Sequence, residues 1–358
     1  MIVGGGPAGV STWLHLNKFA PELAERTVLI EKEKYPRDKL CGGAVSGWSE
    51  IVFKNLDVEL SIPSIWIENV EFHYGRNINS IYQTRFFRVV QRQEFDHELA
   101  KIATKRGLEL RENEEFLDIT RSKEYLKIKT NLDTYKIKVL VGADGSLSVV
   151  RKRMNLPNKP HLAPTLEVFA PANPKFDKEV KEKKIVIDMT PQDEGLQGYV
   201  WHVPSLKNKK PIIGHGMVDF RFFPERPRAD MKKIFSRVLQ SREIYTNINL
   251  WRGHPIRYPS KNDIVSKPNI LLVGDAIGIE PAFGGGIHFA LSYGEIAAKT
   301  IINAFECSDF SFENYKQEIQ FHLLGKWLKK CTDIASGLYG KKIHPFDAAR
   351  DIFTIEDK

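Results

Sequence analysis

The first residues able to do chemistry stand at the start of the chain, where Gly4-Gly5-Gly6-Pro7-Ala8-Gly9 follows the apolar Met1-Ile2-Val3 and precedes a helical pattern, Val10 to Phe19. A dinucleotide-binding turn needs glycine in the turn, where backbone approaches the pyrophosphate, and where helix packs on strand. Gly4, Gly6 and Gly9 meet those needs, Pro7 and Ala8 complete the turn, and the helix N-terminus offers free N–H groups to phosphate. A second apolar strand, Thr27 to Ile30, ends in Glu31 with Lys32 beside it, about twenty residues beyond the glycines. A carboxylate there takes both ribose hydroxyls and disfavours a 2′-phosphate. Gly214-His215-Gly216 lacks a glycine three residues on and reads as strand, so one dinucleotide fold is expected, not two.

Two later segments place similar chemistry at strand ends, where ligands sit in open α/β sheets. The run Val139 to Gly142 enters Ala143-Asp144-Gly145, with Ser146, Ser148 and Arg151 at the start of a helix. Ile270 to Val273 enters Gly274-Asp275-Ala276, and a loop from Pro281 to Gly286 then opens a helix from about Ile287. Asp275 suits the hydroxyls of a ribityl chain, and Gly274 permits close approach. Gly284-Gly285-Gly286 would aim the positive end of the next helix at a flavin pyrimidine, favouring the anionic reduced ring.

Together these segments resemble the three signatures of the para-hydroxybenzoate hydroxylase superfamily of flavoproteins. Val90 to Asp96 is similar to that family's strand-to-helix element, whose arginine, here Arg92, contacts FAD. The resemblance implies FAD as cofactor and covers the cofactor half well; Leu156 to Arg252 is covered loosely. Tyr35-Pro36-Arg37-Asp38-Lys39-Leu40-Cys41-Gly42-Gly43 resembles the geranylgeranyl reductase family, in which a cysteine followed by glycines lies against the flavin. By that resemblance Cys41, Gly42 and Gly43 join the cofactor site. Tyr199-Val200-Trp201-His202-Val203-Pro204 is similar to the family's Tyr-x-Trp-x-Phe-Pro substrate-side motif, with Val203 departing at the Phe position. Ile277-Gly278 replaces the Ala-His pair of aromatic hydroxylases. Flavin halogenases share the plan, but Cys41-Gly42-Gly43 stands where they carry Gly-Glu-Ser/Thr, and their catalytic lysine has no counterpart.

Cys41, Tyr199 and Trp201 are therefore the candidate catalytic residues. Each also has a packing reading: Cys41 as a small core residue, Tyr199 and Trp201 as one face of a sheet. His202 and His288 could donate a proton or satisfy a local hydrogen bond.

To position these residues, the expected architecture is a mixed α/β fold with three parts. A discontinuous Rossmann-like FAD-binding domain takes 1–64, 87–165 and 255–305; an inserted antiparallel-sheet substrate domain takes 65–86 and 166–254; a C-terminal helical segment takes 306–358. In that segment Tyr315, Ile319, Leu323, Trp327 and Cys331 recur every fourth residue and predict one amphipathic helix, docked on the domain or lying on a membrane.

The 358 residues, 42% hydrophobic, suffice for about two domains of core. The net charge of +8 is dispersed without a basic block, which argues against nucleic-acid binding. Cys41, Cys307 and Cys331 show neither zinc-site nor Cys-x-x-Cys spacing, pointing to a reducing, cytoplasmic setting with any membrane contact peripheral. No leader or spanning segment is expected, and the short first strand suggests residues missing upstream of Met1.

The expected reaction, as the family resemblance implies, is reduction of carbon–carbon double bonds in a prenyl or similar apolar, lipid-like substrate. A monooxygenase acting on an aromatic or polyketide substrate is the alternative, followed by halogenation and by a non-catalytic flavin-binding role. The electron donor is open between NADPH and a reduced electron-carrier protein, and the oligomeric state is likewise open.

Overall fold

The computed structural model describes residues 1–156 and 161–354, so residues 157–160 of the expected cofactor domain and 355–358 of the C-terminal segment lie outside the described residues. At its centre the two-residue strand Ile2–Val3 lies between Val28–Glu31 and Leu140–Gly142 and runs parallel to both. Glu109–Glu112 adds to one side and Ile270–Leu272 to the other, again parallel, with antiparallel Ser266–Lys267 at the edge. The three central apolar runs are buried throughout or nearly so, as parallel strands covered on both faces must be.

Helix Pro7–Phe19 packs along helix Ile287–Cys307, and Gly294 sets their spacing. A Cβ at Gly294 would stand 2.5 Å from Ser11 Oγ and 2.6 Å from the Thr12 nitrogen. Ser11 Oγ also donates to the Leu291 carbonyl at 2.7 Å, a bond that bulk at Gly294 would strain. Gly294→Leu should lower stability by about 1–3 kcal/mol, read as a shifted urea midpoint; an unchanged midpoint would contradict this contact.

Seven strands form the second sheet, in the order Thr165–Pro171, Lys210–Asp219, Gly198–Lys207, Lys184–Asp188, Ser64–Tyr74, Asn77–Val90 and Ala44–Ser46. All pairs are antiparallel except Lys184–Asp188 with Ser64–Tyr74. That pair can be parallel because the chain passes through the first sheet between the two strands, a crossover far longer than a hairpin allows. The strand from Asn77 runs to Val90 and feeds directly into helix Arg92–Lys105. At its end Val89 pairs with Ala44, and the Val90 N–H donates to the Gly43 carbonyl at 3.0 Å. The cysteine segment is thereby stitched to the seven-stranded sheet.

Alternation along Gly198–Lys207 sends Tyr199, Trp201 and Val203 to one face and Val200 and His202 to the other. Val200 packs with Met217, Leu196, Ile234 and Phe235, the last two from helix Met231–Ser241.

The C-terminal segment is not one helix. It breaks at His322 into Tyr315–Phe321 and Leu323–Tyr339, and His322 Nδ1 accepts the Leu324 N–H at 3.1 Å. Leu323 is 63% exposed, whereas Leu324 and Leu328 are buried. Residues four apart advance about 40° beyond a full turn at each step, so a strict four-residue spacing drifts off one face, and the break resets it. Tyr315 is buried with its hydroxyl on the Leu272 carbonyl at 2.8 Å. Cys331, Ile334, Leu338 and Tyr339 pack in one cluster with Tyr199, Phe220 and Phe283. Among the described residues no helix is long and apolar enough to cross a membrane.

Candidate functional site

The glycine turn is built by close backbone approach. Gly4 has φ +104°, and a Cβ there would lie 2.5 Å from the Ala143 carbonyl oxygen. A Cβ at Gly9 would overlap the Gly4 carbonyl. Only glycine fits either position. One at Gly274 would stand 2.7 Å from the Ala8 methyl, so the first, second and third segments meet here. Gly6 faces open space, bounded by Arg37 Nη2 3.9 Å from where its Cβ would be. Pro7 opens the helix behind the turn.

Glu31 is buried at the end of its strand, and its Oε2 accepts the Gly5 N–H at 2.9 Å. Lys32 is exposed beside it. Two residues of the cysteine stretch fold over the turn: the Tyr35 hydroxyl donates to the Gly5 carbonyl, and Arg37 Nε lies 3.2 Å from Glu31 Oε2. Arg37 Nη1 also pairs with Asp96 Oδ2 at 3.0 Å, while Arg92 grips both oxygens of Asp96 at 2.8 and 2.9 Å. Asp96 thus holds two buried guanidiniums next to Glu31. The sequence singled out Arg92 for a contact with FAD, and here its guanidinium is paired with Asp96; Arg37 and Asp96 were not singled out. The spacing of Arg92 and Asp96, one helical turn apart, was the available signal.

Asp144 is turned into its own helix. Its oxygens accept from Ser148 Oγ at 2.6 Å and from the backbone N–H groups of Val149 and Val150 at 2.6 and 3.0 Å. It shapes the loop beside Gly4 and is committed to local donors. Asp275 is half-buried, and its charge is felt by the Lys39 amine, whose pKa burial lowers and Asp275 partly restores.

Glu280, unremarked in the sequence, organises the loop Pro281 to Gly286. Its buried carboxyl accepts from the N–H groups of Ala282 at 2.6 Å, Phe283 at 3.0 Å and Gly285 at 2.7 Å. Burial raises its pKa despite those donors. The Tyr199 hydroxyl donates to the Phe283 carbonyl, and that of Tyr339 to the Ala282 carbonyl at 2.8 Å. Three directions therefore fix the loop that presents Gly284, Gly285 and Gly286 at the N-terminus of the helix beginning at Ile287.

Cys41 and Gly42 are half-buried. A Cβ at Gly42 would stand 3.5 Å from Val203 Cγ2 and 3.8 Å from Trp201 Nε1, so the cysteine segment faces the aromatic strand. Cys41 also lies beside the Arg92 guanidinium. Tyr199 is buried and pinned to the loop, with its ring 6.0 Å from that of half-buried Trp201. Tyr199 thus has a packing role, and its phenol pKa is raised by burial.

His202 points to the sheet's other face, away from the side chain of Trp201, and its Nδ1 lies 2.7 Å from His215 Nδ1. His288 is a half-buried ring stacked near Trp48 at 5.9 Å, its pKa pushed down to about 4 by desolvation. Burial likewise lowers His215 to about 3 and His254 to about 4, the latter helped by the charges of Lys39, Lys32 and Arg92. These imidazoles are neutral near pH 7. Because they titrate below their ordinary 6.5 when folded, their contribution to stability is complete above that value and is lost as pH falls through about 4. The urea midpoint should drop across that window, less steeply in His288→Gln; a flat profile would contradict neutral burial.

No family model matches the chain. The digeranylgeranylglycerophospholipid reductase of Methanosarcina acetivorans is 25% identical over 334 residues, covering 88% of this chain and 78% of that protein. A geranylgeranyl bacteriochlorophyll reductase-like structure from Thermoplasma acidophilum superposes with a TM-score of 0.76 at 18% identity, covering 99% of this chain and 91% of that one. The halogenase PltM in complex with phloroglucinol and FAD superposes with a TM-score of 0.73 at 15% identity, covering 96% and 77%. The two-sheet plan with its glycine turn is that of the FAD-dependent oxidoreductases. Its sequence similarity is to proteins named digeranylgeranylglycerophospholipid reductase.

Proposed function

We propose that the protein binds FAD across the three converging segments and reduces carbon–carbon double bonds of a prenyl or similar apolar substrate. The observation that carries this reading is the meeting of the Gly4 to Gly9 turn, Ala143 and Gly274 at one point, with the Cys41 segment facing Trp201 beside it. These residues fit the group: the turn is stripped of side chains where phosphates approach, and a carboxylate stands at the ribose position. When bound and reduced by the electron donor, FAD would supply a hydride from N5 to one alkene carbon, the other carbon taking a proton from water or a nearby donor.

Gly4, Gly6, Pro7, Ala8 and Gly9 would hold the pyrophosphate, with Arg37 and Arg92 adding positive charge. Glu31 would take the ribose, with Lys32 at the rim, and Asp275 the ribityl chain. Asp144 keeps the neighbouring loop in shape. Pro281 to Gly286 and Ile287 would present a helix N-terminus to the pyrimidine edge, where partial positive charge favours an anionic ring. Cys41, Gly42 and Gly43 would line the ring on the side of Trp201. Trp201, Val203 and the Tyr199 wall exclude water and orient an apolar chain. NADPH or a reduced carrier protein would deliver electrons. A lipid substrate would bring the cytoplasmic protein into peripheral membrane contact.

The test is anaerobic. The protein is reduced with dithionite and mixed with prenylated lipids, and the expected result is flavin reoxidation with saturated product. Product formed only with oxygen, and carrying an added oxygen atom, would replace this reading with a monooxygenase. Cys41→Ala should lower turnover about tenfold or more if the thiol works at the ring; unchanged kinetics would return Cys41 to packing.

A further inference from the structure

Glu167 is 3% exposed on the strand Thr165–Pro171, and no role described above uses its carboxyl. It stands opposite Gly216 on the next strand, and Gly216 stands opposite Trp201 on the strand after that. Residues directly opposite in an antiparallel sheet share a face. Glu167 and Trp201 therefore point the same way across a position that has no side chain. A Cβ at Gly216 would overlap the indole, so the glycine is what allows Trp201 to lie flat over the middle strand.

The Trp201 indole N–H and the Cys41 backbone N–H are the donors that face the carboxyl. Yet Glu167 Oε1 and Trp201 Nε1 are both buried without a hydrogen-bond partner, so donor and acceptor confront each other short of bonding geometry. Such buried polar atoms are costly to leave unmade. A charge that acts on the carboxyl is that of Arg252, whose backbone exchanges two hydrogen bonds with Glu167 at 2.7 and 2.9 Å and whose guanidinium pairs with Asp38 in the cysteine stretch. The middle strand presents no titratable group here: Gly216 is bare, and His215 turns to the other face.

We propose that Glu167 is a positioning residue, a latch whose carboxylate draws the Trp201 indole and the Cys41-Gly42 segment together and so sets the width of the substrate cavity. This rests on the FAD-dependent reductase reading only for what fills the cavity. Burial raises the carboxyl to about 7, with the two N–H donors and Arg252 opposing the rise. Ionisation draws both donors into hydrogen-bonding range of the carboxylate, since charge-assisted bonds are about twice as strong as neutral ones. The latch tightens as pH rises and loosens as it falls.

The test uses the protein as purified with its cofactor. Tryptophan emission is compared with that of Trp201→Phe between about pH 5.5 and pH 8.5, the difference isolating one of six tryptophans. The expected result is a Trp201 signal that titrates through neutral pH and is flat in Glu167→Gln, which keeps the shape but cannot ionise. Gly216→Ala, with Glu167 intact, should also abolish the titration by lifting the indole. At alkaline pH Glu167→Gln should raise KM for a prenyl substrate about five- to tenfold with kcat within about twofold. A titrating signal that persists in Glu167→Gln, or none in the wild type, overturns the latch. If the signal behaves as expected and no alkene is reduced, the latch stands and the reductase reading falls.

Discussion

Gly9→Val yields a folded protein that no longer retains FAD, with affinity reduced on the order of a hundredfold or more. The added Cβ would overlap the Gly4 carbonyl, and the nearest alternative space is taken by Ala143. Relief requires the first helix to move away from its strand, which carries its N-terminal N–H groups away from the phosphate position. The helix itself packs along Ile287–Cys307 over its length, so most of the core survives the displacement. Equilibrium dialysis with FAD, alongside far-ultraviolet circular dichroism to verify folding, reads the effect. Retention of FAD at wild-type affinity would show that phosphates are held elsewhere.

Asp96→Ala should have the largest effect on stability. Asp96 is 1% exposed and pairs with both Arg92 and Arg37. Its removal leaves Arg37 with Glu31 alone and strands the Arg92 guanidinium in a buried setting. Breaking a buried pair in this way costs about 3–5 kcal/mol, chiefly from the uncompensated charge. Denaturant unfolding should show that loss, and FAD binding should weaken with it because Arg37 is then free to close more tightly on Glu31. Asp96→Asn keeps a hydrogen-bond acceptor and should lose less. Equal stability of Asp96→Ala and the wild type would contradict the burial of this cluster.

The parts legible in the sequence were those whose geometry is local. The spacing of Gly4, Gly6 and Gly9 reports the turn because the constraint acts within a few residues, and the apolar runs ending at Glu31, Gly142 and Val273 report strands covered on both faces. Alternation likewise placed Tyr199 and Trp201 on one face. What escaped depends on contacts between distant segments. Glu280 organises its loop through backbone donors whose positions no periodicity encodes. Arg37 and Asp96 meet because a loop folds back on a helix some sixty residues on, an approach set by tertiary packing. Asp144 reads as a ligand-facing acid at a strand end, but the helix N-terminus immediately after it claims both oxygens. The C-terminal spacing misled because five apolar residues four apart imitate one face while the true register changes at His322. His202 belongs to an alternating strand, and the same alternation that turns Trp201 inward turns it away.

The most direct measurement is the visible absorption spectrum of the protein after purification and addition of FAD. A flavin spectrum that stays with the protein through gel filtration, at one cofactor per chain and lost in Gly9→Val, is the result expected from segments that converge on one site. A colourless wild-type protein that leaves added FAD in the small-molecule fraction would contradict it.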